Sequence, residues 1–201
     1  MKHAVIFAHP NAHSFTAAMA EGYAGAVEAL GHTALRRDLY RMDFDPRLKS
    51  TELPFAENWQ AAPDAIAERE LLKDADVFVL FYPLWLNSPP AILKGYLERV
   101  FGVGFAYRGT SQGTTPLLKG RQLLSFSSSG APLYWLQQTG AFEAIRTLFD
   151  SYFAELCGLA LLDHVHFGGI VPGAREDFVA ARQDDVRNTV KKHFGAIPDA
   201  R

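Results

Sequence analysis

The chain holds one cysteine, Cys157, among its 201 residues, so no internal disulfide is open to it. Such cysteine usage fits a reducing compartment, and a cytoplasmic location is expected. Cys157 sits in the apolar stretch Leu156-Cys157-Gly158-Leu159 and is expected to be a small core residue rather than a nucleophile. A large excess of charge of one sign is also missing. The formal net charge is −2, which gives no basic field to attract nucleic acid. No apolar run reaches the length of a transmembrane helix. The start, Met1-Lys2-His3-Ala4-Val5, runs directly into a strand pattern, and no signal peptide is expected there. The first loop, from His9 to Thr16, has no glycine. It therefore carries neither the GxGxxG of a dinucleotide-binding turn nor the GxxxxGK[ST] of a P-loop, and it holds neither a resident NAD nor ATP in those manners.

What the chain does have is an ordinary globular balance, 48% hydrophobic and 21% charged, at a length that fits one domain over residues 1–201. Continuous apolar runs at Ala4–Ala8 and Val77–Phe81 have the pattern of parallel strands covered on both faces. Strands are expected at 2–8, 33–39, 77–81, 122–127 and 159–167, and helices at 14–30, 65–74, 90–101, 142–157 and 177–194. The second strand is the most polar and suits a sheet edge. The helix at 142–157 is expected to bury Phe142, Ile145, Leu148, Phe149 and Phe153. Two long loops, 40–63 and 102–120, are expected to be irregular, and length of that kind tends to be functional. Strict strand–helix alternation implies an α/β, doubly wound, five-stranded parallel sheet with helices on both faces. The flavodoxin-like strand order 2-1-3-4-5 is expected.

In such a sheet, ligands bind beyond the carboxyl ends of the strands. Three loops lie there. The first, His9-Pro10-Asn11-Ala12-His13-Ser14-Phe15-Thr16, opens a helix, so Ser14 is placed to cap it while free amides face an anion. The second, Pro83-Leu84-Trp85-Leu86-Asn87-Ser88-Pro89-Pro90, is stiff, aromatic and uncharged, a surface suited to a flat heteroaromatic ring. The third, Ser127-Ser128-Ser129-Gly130-Ala131-Pro132-Leu133-Tyr134-Trp135, offers small residues whose amides can approach a ligand, with the Tyr134 hydroxyl as a further donor. His164 and His166 alternate on the last strand and point the same way, yet no third ligand stands at a recognisable spacing, so no metal site is expected.

Several motifs resemble one family. They are Ala8-His9 with Ser14-Phe15, and Asp38-Leu39-Tyr40-Arg41-Met42-Asp43-Phe44-Asp45-Pro46. Pro83-Leu84-Trp85 comes next. Pro89 or Pro90 then leads into Ala91-Ile92-Leu93-Lys94-Gly95-Tyr96 and Glu98-Arg99-Val100-Phe101, followed by Phe105-Ala106-Tyr107, and finally Ser127 to Gly130 with Tyr134. The chain resembles the NAD(P)H:quinone oxidoreductases related to mammalian DT-diaphorase, and is similar to the bacterial modulator-of-drug-activity and potassium-efflux ancillary flavoproteins. The resemblance implies a homodimer with its active site at the subunit interface and a tightly bound flavin, FAD or alternatively FMN. It also implies NAD(P)H as co-substrate and a quinone-like acceptor, served by two successive hydride transfers. It places the flavin's phosphates and ribityl chain on His9, Ser14, Phe15 and Thr16. The ring falls against Pro83, Leu84, Trp85 and Leu86, and its polar edge at Ser127, Ser128, Ser129, Gly130 and Tyr134. Tyr134 and Tyr107 are the implied catalytic tyrosines, Tyr107 reaching the neighbouring subunit's pocket. The alternatives are a regulatory flavoprotein seated on a potassium-efflux transporter, or a flavodoxin-type electron carrier. Two departures stand out: Leu86 where the family commonly has a second aromatic, and Gly140-Ala141 where the mammalian enzymes have a histidine.

Overall fold

The structure, a computed structural model, describes residues 1–53, 56–57, 59–111, 113–171, 173 and 175–195. Five parallel strands form the central sheet: β1 (Lys2–Phe7), β2 (Thr33–Asp38), β3 (Val77–Pro83), β6 (Gln122–Ser128) and β7 (Ala160–Phe167), in the order β2-β1-β3-β6-β7. The order is the expected 2-1-3-4-5; the numbering jumps because a two-stranded antiparallel hairpin, β4 (Tyr107–Thr110) with β5 (Gly113–Pro116), occupies the second long loop. That hairpin and a 3₁₀ turn at Ser50–Glu52 give local order to segments expected to be irregular.

The continuous apolar strands are explained by two cores. Ile6, Phe78, Leu80, Tyr82 and Leu123 face a layer built from α2 (Pro63–Leu72), α3 (Ala91–Val100) and the helical run after β6. Val5, Phe7, Val79, Phe81, Leu124 and Phe126 face α1 (Phe15–Ala29) and α7 (Glu176–Phe194). Successive residues of one strand thus serve opposite layers, as a side-chain period of two requires. Phe81 and Phe126 stack with ring centroids 4.5 Å apart, tying the two central strands together beneath α1. Cys157 is buried as expected, and burial pushes its thiol up to about 12.

The helix expected at 142–157 is not one regular helix. It is preceded by a short α4 (Leu133–Gln138), begins as α5 (Ala141–Ile145), passes through a π-helical turn at Arg146–Ser151 and ends as α6 (Tyr152–Cys157). A π turn inserts extra chain and rotates the helix beyond it. Phe142 and Ile145 are buried, but Leu148, expected inside, is 77% exposed, and Asp150 takes a fully buried place facing β6 and β7. No helix among the described residues is long and apolar enough to cross a membrane.

Candidate active site

Three strand ends build the site. After β1, the Ala8 amide still donates to Phe81 O (3.1 Å), so the first loop leaves the sheet beside β3. Asn11 Oδ1 accepts from the His13 amide (2.9 Å), and Ser14 Oγ accepts from the Ala17 amide (3.1 Å), which makes Ser14 the N-cap of α1. The amides of Phe15 and Thr16 meet no partner among the described residues, so the first turn of α1 presents donors at the positive end of the helix. Arg41, from the segment after β2, donates to the carbonyls of His9 (2.6 Å) and Pro10 (2.5 Å) and fixes the loop from outside. The His9 imidazole is held below its ordinary value, chiefly by burial, with Arg41 adding to the effect.

After β3, the Leu84 amide donates to Ser128 O (2.6 Å), prolonging the sheet by one residue. The chain then reverses: Trp85 and Ser88 exchange hydrogen bonds of 3.0 and 3.1 Å around Leu86 and Asn87, both left-handed at φ 52° and 54°. Asn tolerates that region, whereas a leucine there is uncommon. Trp85 remains against His9, centroids 5.9 Å apart.

After β6, Ser129 donates its amide to Phe167 O (3.0 Å) and accepts at its own carbonyl from the Ile170 amide (2.9 Å). The amides of Gly130 and Ala131 have no partner among the described residues and form a second set of donors. Gly168 makes this possible: a Cβ there would come within 2.4 Å of Leu133 N and 3.0 Å of Ala131 O, so the two loops approach at a distance only glycine permits.

His9, Ser14, Phe15, Thr16, Pro83, Leu84, Trp85, Ser128, Ser129 and Gly130 line one cleft of about 610 Å³, within the range of cofactor sites. Four predicted site residues stand outside its walls. Leu86 points away at the tip of its turn, 102% exposed. Ser127 is buried under the cleft, its side chain turned to β7. Tyr134 lies on the first turn of α4, 62% exposed. Tyr107 lines a separate apolar groove of about 320 Å³ with Leu97, Phe101, Leu148, Tyr152 and Phe153. Sequence reasoning missed Ile170, Val171 and Val179, which close the cleft on the side of β7 and α7. The Gly168-Gly169 pair at the end of the last strand was the available signal. Gly109, Ser111 and Gly113 have the spacing of a GxSxG elbow, but Gly109 lies in β4 and Gly113 in β5, paired antiparallel rather than leading from a strand into a helix, so they build no hydrolase nucleophile. Among the described residues no group of three or more His, Cys, Asp or Glu side chains is placed to hold a metal.

A family model described as flavodoxin-like fold, Flavodoxin_2, matches residues 1–190. The chain belongs to that family. Within it, the chain is 35% identical over 171 residues to an NAD(P)H oxidoreductase of Haemophilus influenzae, covering 85% of each protein. It is 31% identical to rat NAD(P)H dehydrogenase [quinone] 1, over 79% of this chain and 65% of the rat enzyme, so it spans just under two thirds of that relative. Among solved structures, NAD(P)H:quinone oxidoreductase from Methanothermobacter marburgensis superposes with a TM-score of 0.78 at 27% identity, covering 96% of this chain and 98% of that one. These relatives place the chain in the NAD(P)H:quinone oxidoreductase family.

Proposed function

We propose that the chain is a flavin-dependent NAD(P)H dehydrogenase that reduces quinone-like acceptors, with FAD as its resident flavin. The observation that carries this reading is the cleft itself. Phe15, Thr16 and Gly130 line it from two loops whose amides at Phe15–Thr16 and Gly130–Ala131 have no partner among the described residues, and the aromatic, uncharged Pro83, Leu84 and Trp85 line it with them. That donor set fits a flavin: phosphate at a helix N-terminus, a planar ring against Trp85, the ring's carbonyl edge at Gly130. Ile170, Val171 and Val179 add apolar lining to the cleft, and we take that further surface as room for the adenosine half of FAD.

When bound, the flavin supplies the redox chemistry, passing two electrons from NAD(P)H to the acceptor. The chain supplies the rest. With a flavin bound, Leu84 and Trp85 would shield its ring from water on the side they line, and the cleft mouth would admit the substrates. His9, held below its ordinary value by burial, and the α1 amides would hold the phosphates. Preorganised amides at Gly130 and Ala131 stabilise negative charge where it develops, at no reorganisation cost. Tyr134, exposed on the first turn of α4 and outside the cleft walls, is proposed as a further donor.

The apolar groove around Tyr107, with Leu148 and Tyr152 exposed on it, supports a homodimer in which Tyr107 serves the partner's site. The cytoplasm is the proposed location, on the cysteine argument.

The test is direct. The purified protein should be yellow, release FAD identified by mass, and bleach on anaerobic addition of NADPH. A colourless protein that takes up neither FAD nor FMN would remove the reading. Tyr134→Phe is expected to lower turnover with flavin still bound; unchanged steady-state kinetics would release Tyr134 from its role.

A further inference from the structure

Beneath the Ser128–Gly130 loop runs an unbroken chain of polar side chains that the proposed function does not use. Ser125 Oγ donates to Asp150 Oδ1 (2.7 Å), and His164 Nδ1 meets Asp150 Oδ2 (2.5 Å). His164 Nε2 meets Ser127 Oγ (2.6 Å), and Ser127 Oγ meets His166 Nδ1 (2.7 Å). His166 Nε2 meets Ser129 Oγ (2.9 Å), which also contacts Ala131 O (2.8 Å). Ser125, Ser127, Asp150 and His164 are buried, His166 is half-buried, and Ser129 lines the cleft.

Counting protons exposes an imbalance. With Asp150 ionised and both imidazoles neutral, the three hydroxyls and two ring N–H groups supply five protons for six contacts. The shortfall falls at Ser129, whose single proton is sought by both His166 Nε2 and Ala131 O. One more proton, on His166, satisfies every contact. Nδ1 then donates to Ser127, Nε2 donates to Ser129, Ser129 donates to Ala131 O, and Ser127 donates to His164. The same proton balances the charge of Asp150. Buried polar networks are expected to be satisfied, so this one has a place for one proton beyond those five.

We infer that the chain Asp150–His164–Ser127–His166–Ser129 takes up one proton from solvent through the cleft when the bound cofactor gains two electrons, and returns it when they leave. The inference rests on the flavin reading. In each cycle one N–H bond forms at His166 Nε2 and later breaks. The electrons come from NAD(P)H or another two-electron reductant, and this proton is additional to any taken by the ring. In the resting protein, burial and then the neighbouring His164 pull His166 down to about 4, so it is neutral. Negative charge in the cleft raises that value and draws the proton in. The groups facing His166 are few. They are His164 on its own strand, Ser127 and Ser129 from β6 and its loop, and the Phe142 ring at 5.6 Å with Arg146 lying over that ring. Asp150 lies beyond His164, and the Tyr82 ring packs against His164 at 6.2 Å. His166 is thus a positioning residue that acts through Ser129. It offers a substitute for the histidine missing at Gly140-Ala141.

The deciding measurement is the midpoint potential of the flavin-loaded protein against pH, in the natural chain and in His166→Gln. The natural chain should show one more proton per two electrons than the variant. That is a tenfold change in the reduction equilibrium per pH unit, or about 30 mV steeper per unit, between roughly pH 5 and roughly pH 8. Coincident slopes in two proteins that both hold flavin would overturn the relay and leave the flavin reading intact; a chain that holds no flavin overturns both. Should the variant not fold, the natural protein still decides. Reduction by dithionite at neutral pH should move the His166 ring nitrogens to the ¹⁵N shifts of an imidazolium, and unmoved shifts would overturn the relay.

Discussion

Arg99 shows how much one side chain can hold. It is fully buried, and its guanidinium donates to both carboxylate oxygens of Glu52 (2.8 and 3.0 Å), to both of Asp64 (2.6 Å each) and to the carbonyl of Asp45. It thereby joins α3, the 3₁₀ turn and the start of α2 in one charged knot, and the bonds from Arg99 hold the Asp64 carboxyl below its usual range. Replacing it strands two carboxylates, one of them buried. Arg99→Met is expected to destabilise the chain by about 3–5 kcal/mol, read as a fall in the urea midpoint at unchanged slope. A loss within the surface-substitution range, about 0.5 kcal/mol, would show that the knot is solvated in solution. Leu86 is the opposite case. Its φ of 52° strains a β-carbon that contacts nothing on the solvent side. Leu86→Asn, a residue at ease in that region, should stabilise the isolated chain by about 0.5–1 kcal/mol. No gain would mean that the leucine is held there by contacts, as burial in a dimer would provide.

Whole elements are set by close approaches that a sequence pattern does not display. A Cβ on Gly95, in the middle of α3, would sit 2.1 Å from the Pro46 carbonyl oxygen. The long segment after β2 therefore lies directly on the helix backbone, and Gly95→Ala must push it away. The expected result is a stability loss of about 1–3 kcal/mol, read from the shift in the denaturation midpoint at unchanged slope, the cost typical of forcing extra atoms into a packed contact. Gly168→Ala would act on the cleft instead, lifting the Ala131–Leu133 backbone off β7, and should weaken flavin uptake measured by titration of the apoprotein. The strands, by contrast, are legible in the residues, because short apolar runs rich in β-branched and aromatic residues, such as Val77–Phe81, have the pattern of doubly covered strands. So are the three cleft loops, because topology alone puts the ends of β1, β3 and β6 on one rim. The π turn is not legible. Phe142, Ile145, Leu148, Phe149 and Phe153 keep helical spacing, and nothing local announces that the chain will widen its winding. Regular spacing puts Leu148 inside and Asp150 outside, the reverse of what the fold does. The polar line from Asp150 to Ser129 is invisible for the same reason: it joins residues from a helix and two strands that meet only once the sheet is assembled.

At the scale of the whole molecule, histidines decide how the fold answers acid. His3 is fully buried at the open end of β1, its Nδ1 on the Tyr23 hydroxyl and its Nε2 on His32 Nδ1, both at 2.9 Å. Burial, then His32, brings it from 6.5 down to about 4. His166, at the opposite end of the sheet, is lowered from 6.5 to about 4 as well. Between those two values the unfolded chain binds protons that the folded chain refuses, so acid favours unfolding. The stability these residues contribute is complete above about pH 6.5 and is lost as pH falls toward about 4, each group adding at most about 1.4 kcal/mol per pH unit within that window. Carboxylates held low, such as Asp64 beside Arg99, release their share only at lower pH, so the histidines dominate the first part of the acid limb. Urea midpoints taken from pH 7.5 down to 4.5 should therefore be level at first and then decline (about 6.5 being the shoulder). His3→Asn should start lower, having lost a packed ring, yet decline less steeply, because one of the strongly lowered histidines no longer titrates. Parallel declines in the variant and the natural chain would show that His3 binds its proton inside the fold, through the Tyr23–His3–His32 line, without opening it.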